Sequence, residues 1–159
     1  MPLTVPTPEA FATMTWDAIA PLYDDLEARP LSGDDASAIE TWLADWNALD
    51  ESLIEAIRLA EFAAAGHTED PVAAANADRL SGEVAPQRNA RQTRLARKLI
   101  ATGYTRPDLD TTLRRFRSDE AIFRTENVPL ETGLERMRGE YRQLGGGLTV
   151  TWEGESIPV

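Results

Sequence analysis

The sequence predicts an all-α protein, an antiparallel bundle of about five helices, two of them long, with a C-terminal β-hairpin. Three observations predict it. The run from Ser37 to Gly66 is free of proline and places Ile39, Trp42, Trp46, Leu49, Leu53, Ile57, Ala60 and Ala64 at three- and four-residue spacing, the pattern of one apolar helix face. A second long run, from about residue 70 to 102, repeats that spacing with Val72, Leu80, Val84, Leu95 and Leu99. Only after Gly145-Gly146-Gly147 does the period change, with Leu148, Val150 and Trp152 alternating with Thr149, Thr151 and Glu153, as in a strand.

Residues 1–14 contain Pro2, Pro6 and Pro8, each without an amide donor, and predict an extended surface arm. The helical domain is predicted over 15–147. Thr15 is placed to cap a first helix with Trp16, Ile19, Leu22, Tyr23 and Leu26 apolar, and Arg29-Pro30 ends it. Either Asp34 or Asp35 can cap the spine helix, whose Asp45, Asp50, Glu51, Glu55, Arg58 and Glu61 lie mostly off the apolar line and are expected to face water. At 1.5 Å per residue that helix is roughly 40 Å long. Gly66 closes it, and Thr68 or Asp70 caps the third helix, which Pro86 should kink and Gly103 should end. A fourth helix starts near Pro107-Asp108 and turns Leu109, Leu113, Phe116, Ile122 and Phe123 inward. A fifth follows Asn127-Val128-Pro129, with Leu130, Leu134, Met137, Tyr141 and Leu144 at heptad-like spacing. Residues 148–159 form the hairpin, with Glu153-Gly154 as its turn.

Composition narrows the function classes. The 159 residues are 42% hydrophobic and 27% charged, enough for one domain with a core and against disorder. Net charge is −11, which disfavours nucleic acid and anionic membranes as partners. The charge is uneven: residues 1–78 hold 2 basic and 16 acidic side chains, residues 79–159 hold 14 and 11. The absence of cysteine excludes a disulfide scaffold and thiol chemistry. No secretory signal or membrane-span pattern is visible, so the expected location is the cytoplasm.

Candidate functional residues are few. His67, the single histidine, falls in a helix–helix connection, and one loop histidine is a poor start for a zinc site. Arg88, Arg91, Arg94 and Lys98 follow one side of the third helix. They suit either an anion track or, better, a solvated face paired with acids of the spine. Trp42 and Trp46 are four apart on the apolar face and read as core, and Glu51 and Glu55 read as a surface pair. The glycines 145–147 precede a strand and lack the residues of a phosphate loop. No residue is assigned a catalytic, cofactor-binding or metal-binding role.

One series of stretches carries more. Trp16-Asp17 through Pro21-Leu22-Tyr23 to Leu26, Arg29-Pro30-Leu31, Trp42-Leu43 with Trp46-Asn47-Ala48-Leu49, Pro86, Phe123-Arg124-Thr125-Glu126-Asn127-Val128-Pro129-Leu130 and Thr149-Val150-Thr151-Trp152-Glu153-Gly154 together resemble the N-terminal part of the oligoendopeptidase F family, thimet-oligopeptidase-like zinc metallopeptidases. The resemblance covers about residues 10–159. It implies a non-catalytic helical segment forming one wall of a channel for short peptides, with the H-E-x-x-H zinc helix far downstream. The implied partners are the enzyme's own C-terminal catalytic domain and short peptides. No cofactor is implied in this segment, and zinc only in the full-length enzyme. The alternative from the residues alone is a free-standing helical interaction module without enzymatic activity. An anion-binding regulator using the Arg88–Lys98 track is a third.

Overall fold

In the computed structural model the chain is mostly helical, and the all-α class holds. Residues 2–122, 124–152 and 155–158 are described, with backbone alone at residues 125, 128, 131, 132, 135, 152 and 155–158. The helices are α1 (Pro8–Phe11), α2 (Trp16–Ala28), α3 (Ala36–Gly66), α4 (Pro71–Arg79), α5 (Ala85–Ala101), α6 (Asp110–Ile122) and α7 (Val128–Gly146), followed by strands β1 (Thr149–Trp152) and β2 (Glu155–Pro158). No helix among the described residues is long and apolar enough to cross a membrane.

The spine, α3, forms as its spacing predicts. Asp35 caps it by accepting from the Ala38 N–H at 2.9 Å, which satisfies one of the orphan donors of the first turn. Ile39, Trp42, Trp46, Leu49, Leu53, Ile57 and Ala60 are buried along its length. Asp45 departs from expectation. It is buried on the spine, where its Oδ2 accepts from the Arg29 guanidinium and from the Leu3 N–H at 3.0 Å. A carboxylate can leave water there because it gains charge-assisted partners.

The N-terminal segment differs from an extended surface arm. Thr7 caps a single helical turn, α1, through the Ala10 N–H, and Phe11 is fully buried. Burial of that ring and three long-range bonds hold the segment down. These are Leu3 N–H to Asp45, Ser52 Oγ to the Pro6 carbonyl at 2.7 Å, and Arg79 to the Met14 carbonyl at 2.6 Å.

The third helix runs without a gap from residue 71 to 101 but changes register on the way: α4, a π-helical turn from Leu80 to Val84, and α5. Within the turn Ala85 N–H reaches the Leu80 carbonyl, five residues back. Pro86 follows directly and has no N–H for the carbonyl four residues upstream, so the regular ladder is interrupted here, and Leu80, Val84 and Pro86 itself are buried. Val72, expected inside, is exposed, and no residue of α4 is buried. Gly103 ends α5 as predicted, with φ of +70°, the left-handed conformation a glycine cap adopts without strain. The Ser32–Asp35 turn abuts that end so closely that a Cβ on Gly33 would meet the Thr102 carbonyl oxygen at 2.2 Å.

Further along, expectation and structure part. On α6, Leu113 is buried and Phe116 partly so, but Ile122 is exposed; Phe123 lies outside the described residues. The helix α7 runs through Gly145 and Gly146, where a break was expected, and Gly147 caps it. Strands β1 and β2 pair antiparallel, Val150 opposite Ile157. The predicted turn at Glu153-Gly154 and the side chains of Trp152 and Ile157 fall outside the described residues.

Trp46 is 4% exposed, whereas Glu55 is exposed on the opposite side of the spine. Trp46→Ala is expected to cost roughly 3–5 kcal/mol in urea melts and Glu55→Ala within about 0.5 kcal/mol. Strand β1 leaves Leu148 and Val150 largely exposed at its start, and a two-stranded ribbon is marginal in water. Its amides are therefore expected to exchange with solvent much faster than those of residues 42–57, read by hydrogen exchange on the intact chain.

Candidate functional site

The spine is covered on one side and open along another. Its open side is a trough floored by Leu43 and Trp46 near one end and by Ile54 and Ile57 near the other. Across the trough stand Leu113 and Phe116 of α6 and Leu134 of α7. It consists of two hollows of about 960 and 570 Å³ that share Arg88 and Asn89. From Glu40 to Glu61 the lining follows the spine over 22 residues, or about 30 Å of helix.

The walls are set by two tryptophans. Trp42 donates its indole N–H to the Leu26 carbonyl at 2.9 Å, and Trp46 donates to Gln92 Oε1 at 2.7 Å. The two rings tilt against each other at 5.2 Å, and Trp46 stacks on Phe116 at 5.5 Å. Gln92 passes a bond on to Asp50, which also takes the Arg88 Nε at 2.7 Å. A polar chain of Trp46, Gln92, Asp50 and Arg88 thus crosses the middle of the trough.

The fully buried Tyr23 lies beside this chain, its hydroxyl near Gln92 and Arg88 but without a well-formed hydrogen bond. Burial raises its pKa well above the usual phenol range, with the nearby Arg88 pulling the other way. On its other face the ring stacks on Trp16 at 5.8 Å.

The basic track is a structural device. Arg88 pairs with Asp50 of the spine, as expected. Arg91 instead reaches Asp24 and Glu27 of α2, at 2.7 and 2.9 Å, and Arg94 reaches Glu27 at 3.8 Å. Burial draws the Arg91 pKa down, but Glu27 and Asp24 outweigh it and the net shift is upward. Lys98 donates to the Leu26, Glu27 and Arg29 carbonyls, a cation on the C-terminal end of α2 where the helix dipole favours it. Desolvation lowers its pKa. Sequence spacing identified the four cations but not α2 as their main partner, because nothing local states which helix lies opposite.

The carboxylates of the larger hollow are paired: Glu40 with Tyr104 and Arg106, Asp50 with Arg88, Asp119 with Arg115, and Glu120 with Arg97. His67 is exposed at the end of α3, and among the described residues no group of three or more His, Cys, Asp or Glu converges. Glu51 accepts from Asn47 at 3.2 Å and Glu55 is exposed. The trough itself escaped sequence reasoning; its one sequence signal is the second line of part-apolar positions, Leu43, Asn47, Asp50 and Ile54, beside the buried one.

Comparison with known proteins gives no match: no family model, no curated protein and no solved structure is significantly similar to the chain.

Tyr23 yields a pH prediction. A phenol pKa raised by folding leaves stability intact below the ordinary value of 10.0 and removes it as pH rises toward the folded-state value, because only the unfolded chain ionises freely. Tyr23→Phe should be close to neutral in stability at neutral pH, since the hydroxyl it removes is buried without a well-formed hydrogen bond. It should also lose less stability than the parent between about pH 8 and about pH 11. Urea melts of both proteins at the two pH values make the comparison.

Proposed function

We propose that the chain, an antiparallel helical bundle ending in a β-hairpin, is the non-catalytic N-terminal domain of a cytoplasmic zinc oligoendopeptidase that hydrolyses short peptides. Its trough forms one wall of the substrate channel. The observation that carries this reading is the trough along the spine, an elongated groove with an apolar floor and ion-paired walls. A groove of that length and mixed polarity suits an extended chain better than a compact metabolite. The ordered stretches from Trp16 to Gly154 that resemble the oligoendopeptidase F family supply the enzyme class. Zinc, in this reading, is held by the catalytic domain and there polarises the scissile carbonyl. This segment supplies shape, access and a docking surface for that domain.

A second reading, a free-standing interaction module without enzymatic activity, is favoured by the apolar residues that α7 leaves exposed. The reading frame downstream of Val159 separates the two. A continuation carrying H-E-x-x-H is the expected result, and a stop codon there would sink the peptidase reading. The isolated chain should hydrolyse no peptide and bind zinc no better than other acidic proteins. A tight stoichiometric zinc site in equilibrium dialysis, lost in His67→Ala, would contradict this.

A further inference from the structure

The helix α7 meets the body at Gly139, where a Cβ would sit 3.7 Å from Asp78 Oδ1, and at Leu134 and Arg138, which border the second hollow. On the side away from Gly139 run Leu130, Leu134, Met137, Tyr141 and Leu144, 65, 48, 54, 77 and 72% exposed, with Leu134, the least exposed, at the edge nearest the hollow. Their spacing alternates four and three over two heptads, the period that keeps an apolar seam facing another helix of the same kind.

We propose that this seam pairs with the same seam of a second copy of the chain, α7 against α7 about a two-fold axis. Two observations select that occupant. The heptad period asks for a helix with a matching seam, not for a strand or a compact ligand. Charge also favours it. The 16 acidic and 2 basic side chains of residues 1–78 would repel their like in a second copy, whereas residues 79–159, with 14 basic and 11 acidic, are near balance. Pairing through α7 joins the balanced halves and leaves the acidic ones apart. An isologous contact of this kind closes at two copies.

The test is the mass of the intact chain by sedimentation equilibrium over a wide dilution series. The expected species is a dimer, twice 17.5 kDa. Leu134→Glu should raise its dissociation constant at least about tenfold with the helical circular dichroism unchanged. Phe62→Glu, at a spine position 80% exposed and on a different helix from the seam, should leave it as it was. If Leu134→Glu fails to fold, cross-linking decides. The chain has no cysteine, so Met137→Cys at the centre of the seam should form an intermolecular disulfide under mild oxidation far faster than Phe62→Cys. A monomer at every concentration would overturn the pairing, and so would a ladder of larger oligomers or equal cross-linking of the two cysteine variants. These outcomes do not depend on whether a catalytic domain follows, so the pairing and the peptidase reading can fail separately.

Discussion

Two buried indoles that must keep their N–H groups bonded set the arrangement of this protein. Trp42 and Trp46 lie one turn apart on the spine, and neither can enter the core without an acceptor. The Leu26 carbonyl supplies one, which fixes the C-terminal end of α2 against the spine. Gln92 supplies the other, which fixes the rotation of α5. Phe116 then stacks on Trp46 and brings in α6. Four helices are thus registered on two side chains. By contrast, the described apolar side chains of α7 stay largely outside the core.

Electrostatics reinforces that registration without driving it. The C-terminal end of α2 presents carbonyls that no residue of its own helix can satisfy. Lys98 supplies three donor contacts there, and Arg91 holds the acids just upstream. The acidic excess of the first half and the basic face of α5 therefore meet at one seam. Most of these pairs remain part-exposed, so each contributes modestly. Their value lies in orienting α5 so that Gln92 points at Trp46.

What the sequence made legible is what depends on one helix at a time. The spine, its Asp35 cap, its buried face, the Arg29-Pro30 stop and the Gly103 stop follow from spacing and caps within a few residues. What escaped depends on neighbours. Asp45 reads as a surface acid until Arg29 and the Leu3 amide are seen beside it. Phe11 reads as part of a proline-rich arm until the core it fills is known. The π turn hides because Pro86 signals an interruption without saying that it occupies the five residues upstream. The α7 seam was legible as a heptad, but its exposure was not, since periodicity shows that a face is apolar and not what covers it.

The trough and the seam have one geometric origin. The spine has 31 residues, about 46 Å, while α6 has 13, about 20 Å. A helix that short cannot sheath a rod that long along its whole open side. With α2 and the N-terminal segment spent on the buried face, α6 meets the spine's open side chiefly through Phe116. Leu43 and Ile54, on that open side of the spine, are consequently left only partly covered. Among the described residues of α7, Leu134 and Arg138 border the hollow, and the rest of its apolar line stays exposed. Two uncovered surfaces, one concave and mixed, one convex and heptad-spaced, are therefore properties of the same packing, and each fits a different kind of partner.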